Sequence, residues 1–291
     1  MTKKDVLIGG LLVGLLAGLV GIVVIGGRAM SQMNANAIRI GSVGWFTVLG
    51  MALLTAYLDT CAGGGHGTML TPMLVLLGFS SRAVVPAILS SEVVIGIFAT
   101  ILNHRAGNIR LARGEQHRRV LMVLSVCSLV GSVVAVAAAV RLPQRWVHLY
   151  IGLVIVAVGL LVATRWRSAR GFSMRRIVVL GTVAAFNKGI SGGGYGPLLT
   201  AGQVLSGVCE KGAVSITPPA RGLTGLISVI LYYTLQGRLE LGLVLPLVLG
   251  SLLATPVAVL TVARVRADVL RKGIVAATLV LGTLLLVKAL R

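Results

Sequence analysis

Four ionisable residues lie within apolar stretches of this 291-residue sequence: Asp59, Glu92, Lys188 and Arg221. Charged side chains are costly in hydrocarbon, so they usually face a protein interior, pair with one another and mark a functional site. A shift of 129 residues, the separation of Asp59 and Lys188, also places Glu92 on Arg221. Each acid therefore falls where the other half of the chain has a base. We expect the pairs Asp59–Lys188 and Glu92–Arg221, or the crossed arrangement.

These four charges support two interpretations. In the first, they only neutralise each other between the two halves, because a buried charge needs a partner. In the second, Lys188 and Arg221 attract an anion, while Asp59 or Glu92 holds charge balance or a coupling proton. The residue types alone leave both interpretations open.

Glycine triplets at residues 63–65 and 192–194 interrupt two apolar segments, 43–78 and 176–206. Glycine is a strong helix punctuator, so each segment is predicted to form two short helices around an unwound turn. Such a turn exposes backbone N–H groups at a helix N-terminus, where anions bind. The alternative is that the glycines only allow helices to approach closely.

The side chains around the triplets are mostly hydroxyl groups, which donate hydrogen bonds to an oxyanion without a fixed charge. His66 has three open roles, as a proton carrier, a ligand donor or a satisfied interior residue. In the second half, the sequence Thr217-Pro218-Pro219 predicts a local break in its helix. The predicted substrate-binding residues are Gly63, Gly64, Gly65, His66, Thr68, Thr71, Lys188, Ser191, Gly192, Gly193, Gly194, Tyr195 and Arg221, with Asp59 and Glu92 in coupling or charge-pairing roles.

The composition requires a membrane. Hydrophobic residues make up 56% of the chain and charged residues 12%, against about 25% charged residues in soluble domains. Apolar runs of about 20 residues are long enough to span the bilayer, and only helices or closed barrels satisfy the backbone there. The runs are apolar on all sides, which predicts helices. Full crossings are predicted at residues 6–27, 83–102, 119–140, 146–164, 216–235, 241–262 and 270–288.

The net charge of +20 is explained by cytoplasmic loops rich in lysine and arginine, so no nucleic-acid partner is expected. Most of these residues fall on one side if both broken segments are re-entrant hairpins, with the N-terminus cytoplasmic. The three cysteines form no CxxC motif, and neither a disulfide framework nor a metal site is predicted.

The expected fold is an all-α polytopic membrane protein with two inverted repeats. Each repeat has one glycine-broken re-entrant hairpin and three transmembrane helices, and an odd number of crossings turns the second copy upside down. Residues 1–42 form an extra N-terminal transmembrane helix and its connection, residues 43–165 the first repeat and residues 175–291 the second. If the broken segments cross fully instead, the inversion is lost.

The pattern Asp59-x3-Gly-Gly-Gly-x-Gly-x3-Thr-Pro, with Gly192-Gly-Gly-x-Gly-Pro in the second half, resembles the TauE/SafE family, also called the sulfite exporter or TSUP family. The resemblance spans roughly residues 43–290. It implies transport of sulfite, thiosulfate or organosulfonates, often outward. The second copy lacks the Thr-Pro ending and carries Pro197 earlier.

The expected function is a secondary transporter that moves a small anion, a sulfur oxyanion or organosulfonate, across a bacterial inner membrane by alternating access. An anion channel is the alternative, because rings of donors and positive helix ends also make pores. No HExxH motif is present and no nucleophile is found paired with a base, so no enzyme activity and no cofactor are expected. The expected partners are the anion, the lipid bilayer and a coupling ion (H+ or Na+). The oligomeric state stays open between a monomer and a homodimer.

Overall fold

The structure is a computed structural model, and it describes residues 42–62, 65–105, 115–163, 172–208, 210–237, 239–261 and 267–290. All regular structure in these ranges is α-helical, as predicted. The predicted N-terminal helix and Gly63 and Gly64 lie outside the described residues. The helices are α1 (Ser42–Ala62), α2 (His66–Leu76), α3 (Ser81–Arg105), α4 (Glu115–Arg141), α5 (Gln144–Ala163), α6 (Met174–Ser191), α7 (Tyr195–Leu205), α8 (Glu210–Gln236), α9 (Leu241–Thr261) and α10 (Ala267–Leu290).

Both glycine triplets divide their segments into two helices, as predicted. Helix α6 ends at Gly192 with φ of 69°, and α7 begins after Gly194 with φ of 75°. Left-handed backbone of this kind favours glycine because an added Cβ would collide with the chain. The glycines at these positions therefore explain why the helix is interrupted there.

Helix α8 continues through Pro218 and Pro219, so the predicted local break at Thr217-Pro218-Pro219 is wrong. The prolines remove two backbone donors, but the surrounding packing holds the helix. Its backbone is in close contact with α3, where a Cβ added to Gly96 would lie 2.6 Å from the Cα of Gly222. Close packing against a neighbouring helix can hold a membrane helix together where the local sequence disfavours it.

The bundle has an apolar exterior, and its largely apolar interior also contains polar and charged groups. Leu260, Val126 and Leu153 are 75%, 64% and 63% exposed, whereas many buried residues are polar or charged. Four helical stretches are long and apolar enough to cross a membrane, within the described part of the chain: Gly44–Cys61, Ser81–Leu102, Arg119–Arg141 and Leu241–Leu260. The molecule is a multi-pass membrane protein.

Two helix pairs run antiparallel. Glycines mark the contact of α3 with α8, because Gly96 lies against Gly222 while Gly225 lies against Leu89 and Val93. Helices α5 and α10 pack in the same way, with Gly152 close to Leu286 and Gly159 close to Leu279.

Two other helix pairs run parallel. Along α4 and α6, Gly181 contacts Leu124 and Gly189 contacts Ala135, so the residue numbers of the two helices rise together. Helices α1 and α9 follow the same course, since Gly250 contacts Leu53 and the Cys61 thiol lies 3.8 Å from the carbonyl oxygen of Ala258.

Hydrogen bonds define which helix ends lie together. The Ser173 N–H, just before α6, donates to the Ser206 carbonyl, just after α7, at 2.9 Å. The Lys288 ammonium at the end of α10 donates to the Val75 carbonyl at the end of α2 at 2.8 Å. The two ends of the second broken segment therefore meet, and α2 and α10 finish at a common end of the bundle.

Candidate functional site

The four buried charges form two ion pairs in the crossed arrangement. Arg221 Nη1 lies 2.6 Å from Asp59 Oδ2, and Lys188 Nζ lies 2.7 Å from Glu92 Oε2. The predicted repeat would exchange the two pairs, because the shift of 129 residues places Asp59 on Lys188 and Glu92 on Arg221. We call these residues the charged tetrad, and its formal charge is zero. The straight pairing, Asp59 with Lys188, does not occur.

The tetrad is enclosed by protein. The exposed fractions are 1% for Asp59, 3% for Glu92, 0% for Lys188 and 5% for Arg221. Charges buried to this degree interact strongly because little solvent screens them. Each pair also joins the two halves of the chain, because α1 meets α8 and α3 meets α6.

The Lys188 ammonium uses its donors inside the protein. Besides Glu92 it donates to the Arg221 carbonyl oxygen at 2.7 Å, and it lies 5.1 Å from the ring centroid of Tyr195. Attraction between an ammonium and an aromatic face strengthens when both are desolvated. Lys188 is therefore held by a carboxylate, a carbonyl and a ring.

Arg221 keeps one buried donor without a partner. Its Nη1 donates to Asp59, but its Nε has no hydrogen-bond partner among the described residues. A buried N–H left unpaired is costly and rare in folded proteins. This atom is a donor of the tetrad that remains for an incoming acceptor.

His66, the first residue of α2, connects the first break to Asp59. Its backbone N–H donates to Asp59 Oδ1 at 3.0 Å. Its ring nitrogens Nδ1 and Nε2 each lie 2.9 Å from a hydroxyl oxygen, of Thr55 and Ser91 respectively. The imidazole is fully buried.

Tyr195 occupies the equivalent position at the start of α7. Its hydroxyl lies 3.4 Å from the Ser128 oxygen, which lies 2.6 Å from the Thr224 oxygen. Both short helices thus begin with a buried ring beside the charged residue of the preceding helix. The first repeat places a histidine against an acid, and the second places a tyrosine against a base.

The two glycine breaks meet at the centre of the molecule. A Cβ added to Gly67 would lie 2.0 Å from the Gly192 carbonyl oxygen and 2.7 Å from the Gly193 Cα. A Cβ added to Gly193 would lie 2.4 Å from the Gly67 carbonyl carbon. We call this the glycine contact. Only residues without side chains allow the two backbones to approach so closely.

Hydroxyl groups near the breaks are bonded to backbone atoms in this structure. Thr71 donates to the Ser191 carbonyl at 2.8 Å, and Thr68 donates to the Gly65 carbonyl at 3.0 Å. The Gly193 N–H donates to the Ser191 hydroxyl at 3.1 Å. These contacts satisfy the unwound backbone inside the bundle, where no lipid group could do so.

The described members of the predicted site therefore lie close together, around the tetrad and the glycine contact. Whether they contact a substrate remains a prediction. The sequence interpretation missed Thr55 and Asn187, which hold the breaks in place. Asn187 donates from Nδ2 to the Gly193 carbonyl at 3.0 Å. Thr55 lies four residues before Asp59, which places both on one helix face, and this spacing could have indicated that Thr55 belongs to the site.

A family model described as sulfite exporter TauE/SafE matches residues 48–285, which is more than half of the chain. The chain belongs to the TauE/SafE sulfite exporter family. No curated protein and no solved structure matches the chain. Family membership confirms the resemblance drawn from the glycine motifs. It also establishes a membrane transport protein, with a family description that points to sulfur anions.

Proposed function

We propose that this protein is a secondary transporter that moves a small anion, sulfite or a related sulfur oxyanion or organosulfonate, by alternating access. The observation that carries the proposal is that the two glycine breaks meet at Gly67 and Gly193 beside the charged tetrad. Broken helices that converge on buried charges near the middle of a bundle are the usual form of a substrate site in secondary transporters.

The antiparallel helix pairs support an inverted repeat. Under the repeat relation, α3 is equivalent to α8 and α5 to α10, and the members of each pair run in opposite directions. A twofold axis in the membrane plane reverses the direction of every helix that it relates. The exchange of ion pairs between the repeats follows from the same axis.

The hydrogen bond from Ser173 to Ser206 supports a re-entrant hairpin in the second repeat. It brings the start of α6 and the end of α7 to one end of the bundle. The Lys288 contact to Val75 places the end of α2 with the end of α10. The Arg82 guanidinium, which follows α2, donates to the Leu142 carbonyl after α4. Because α4 and α6 are parallel, α2 and α7 then end on opposite sides.

The neutral tetrad sets the conditions for anion binding. Lys188 and Arg221 are already paired, so an anion competes with Glu92 or Asp59 for them, or contacts the unpaired Arg221 Nε. In either case the local charge balance changes when the anion binds. In this proposal the change in charge balance drives exchange between two conformations, because an unpaired buried charge is destabilising.

The proposed location is a bacterial inner membrane with a cytoplasmic N-terminus. The support is the excess of lysine and arginine in the loops assigned to the cytoplasmic side. We propose sulfur oxyanions over other anions because of the family description. A coupling ion, H+ or Na+, is part of this proposal, and so is a homodimer as the alternative to a monomer.

Proteoliposomes containing the purified protein test the proposal. Radiolabelled sulfite, thiosulfate and a short alkylsulfonate should each be assayed for uptake and for counterflow against unlabelled anion. We expect saturable counterflow for at least one of them. The variant with both Asp59→Asn and Arg221→Gln keeps a neutral, hydrogen-bonding pair, and it should fold yet lose most of the flux. Arg82→Gln, at an exposed arginine, serves as the matched control.

Two results would contradict the proposal. If no member of the panel crosses faster than in liposomes without protein, the chain does not transport these anions. If ionic current flows without counterflow, the anion channel is the better description.

A further inference from the structure

The hydrogen bonds around His66 indicate how many protons its ring carries. Thr55 Oγ1 donates to the Met51 carbonyl at 2.7 Å, and Ser91 Oγ donates to the Ile88 carbonyl at 2.8 Å. Each hydroxyl has one proton to donate. If both protons point to carbonyls, both ring nitrogens of His66 must donate to the hydroxyl oxygens. The complete network therefore fits the doubly protonated imidazolium.

The neutral ring fits the same positions with one change. One ring nitrogen then lacks a proton and accepts a hydrogen bond from the hydroxyl beside it, which is Thr55 for Nδ1 and Ser91 for Nε2. That hydroxyl turns its proton away from its carbonyl, and no heavy atom has to move. The His66 ring can therefore take up a proton if one neighbouring hydroxyl group rotates.

The charges that face His66 come from four helices. Burial of the ring opposes a charge on it most strongly, Glu92 on α3 and Asp59 on α1 favour the charge, and Arg221 on α8 and Lys188 on α6 oppose it. Helices α5 and α10 also pack against α2. The titratable groups described on these two helices do not face the His66 ring. Lys288 binds carbonyls at the other end of α2, Tyr150 packs edge-to-face on Phe186, and His148 lies on the same helix as Tyr150.

We propose that His66 is the proton-binding site that couples a proton to the anion, and this rests on the proposed transport function. The tetrad sums to zero, so a proton on the second ring nitrogen of His66 gives the cluster a net charge of one positive unit. An oxyanion entering beside Arg221 Nε then restores neutrality. Proton and anion binding are therefore mutually favourable, and each strengthens the other by the same factor.

The proton balance of this step is simple. A proton from the aqueous side binds the free ring nitrogen, and the hydroxyl that had donated to that nitrogen turns to its backbone carbonyl. When the anion leaves, the proton leaves to water, and the hydroxyl returns to the ring. No covalent bond other than N–H forms or breaks.

Transport kinetics provide the first test. Thiosulfate or a short alkylsulfonate is the probe, because these anions stay ionised where sulfite titrates. For the wild type, the apparent affinity should weaken by up to about tenfold for each unit of pH above the titration of the ring, as expected for one linked proton. In His66→Gln it should vary by less than about twofold. His148→Gln, at a half-buried histidine of α5, should behave as the wild type.

Nuclear magnetic resonance provides a second test that needs no flux. The ring ¹⁵N signals of His66, assigned by their loss in His66→Gln, report the protonation state directly in lipid nanodiscs. Adding thiosulfate should shift them toward the imidazolium position. His66 signals that stay neutral with and without the anion would overturn the proposal, as would equal pH dependence in wild type and His66→Gln. Absence of flux in every protein would instead contradict the transport function.

Discussion

Asp59 and Arg221 are 162 residues apart in the sequence, yet their side chains meet with Oδ2 of one 2.6 Å from Nη1 of the other. Glu92 and Lys188 form the second such pair, with Nζ 2.7 Å from Oε2. Removing one partner of a buried pair leaves an uncompensated charge, which costs about 3–5 kcal/mol. Asp59→Asn and Arg221→Gln should each lower the free energy of unfolding by an amount of this order.

The crossed pairing makes a distinct prediction for double variants. Asp59→Asn with Arg221→Gln should recover much of the loss and give a large coupling energy in a double-mutant cycle. The mispaired combination, Asp59→Asn with Lys188→Gln, should show a clearly smaller coupling. Thermal unfolding in detergent measures all of these variants. A larger coupling for the mispaired combination would mean that the straight pairing dominates in solution.

The glycine contact predicts a severe effect of one methyl group. Gly67→Ala would place a Cβ 2.0 Å from the Gly192 carbonyl oxygen, so the two breaks must separate. Forcing extra volume into a packed core typically costs about 1–3 kcal/mol, and backbone atoms on the other side leave little room to relax. We expect a lower unfolding temperature together with loss of counterflow.

Gly50→Ala is the matched control for that experiment. Gly50 is exposed on α1 and nothing lies within 4 Å of an added Cβ. Alanine in a helix interior is favoured over glycine by roughly 0.5–1 kcal/mol, so stability should be unchanged or slightly higher. Equal tolerance of alanine at positions 67 and 50 would show that the breaks are not in contact.

The orientation of the repeats can be tested by cysteine labelling in a background without native cysteines. Leu142 and Phe172 are exposed at helix ends, with Leu142 next to the end of α2 and Phe172 next to the end of α7. We expect a membrane-impermeant maleimide to label Leu142→Cys from the periplasmic side and Phe172→Cys from the cytoplasmic side. Leu253→Cys, which faces lipid in α9, should resist labelling. The two positions flank α5, so one crossing separates them in either topology. The reverse pattern, with Leu142→Cys labelled from the cytoplasmic side and Phe172→Cys from the periplasmic side, would contradict the re-entrant segments and the inverted repeats.

Thr71 links the two breaks by its hydrogen bond to the Ser191 carbonyl. Thr71→Val keeps the shape of the side chain but leaves that buried carbonyl without this donor, which costs about 1–3 kcal/mol. Thr283→Val, at an exposed threonine bonded only within its own helix, should change stability by a few tenths of a kcal/mol at most. Denaturation in detergent compares the two, and a similar loss in both would assign no special role to Thr71.

Much of this molecule could be predicted from the sequence because lipid imposes strict rules. Apolar runs must be helices, and glycine triplets within them must interrupt those helices. Charges such as Asp59 and Lys188 stand out where almost every neighbour is apolar. The offset of 129 residues then relates these charges, so the members of the tetrad were identifiable before any geometry was known.

The pairing and the hydrogen bonds required the structure. Both pairings of the tetrad are electrically neutral, so composition could not choose between Lys188 and Arg221 as the partner of Asp59. Thr68, Thr71 and Ser191 are chemically suited to an oxyanion, yet here they satisfy backbone carbonyls that the helix breaks leave exposed. The helix continues through Pro218 because packing outweighs a local preference, and local preference is all that a short motif reports.

The first repeat contributes both acids of the tetrad and the second contributes both bases. Neither half can bury its central charges against a copy of itself, since four acids or four bases would then face each other. During synthesis, Asp59 and Glu92 enter the membrane before Lys188 and Arg221 exist. The first half of the chain therefore carries two acids without their partners until the second half is made, and its central packing is completed only then.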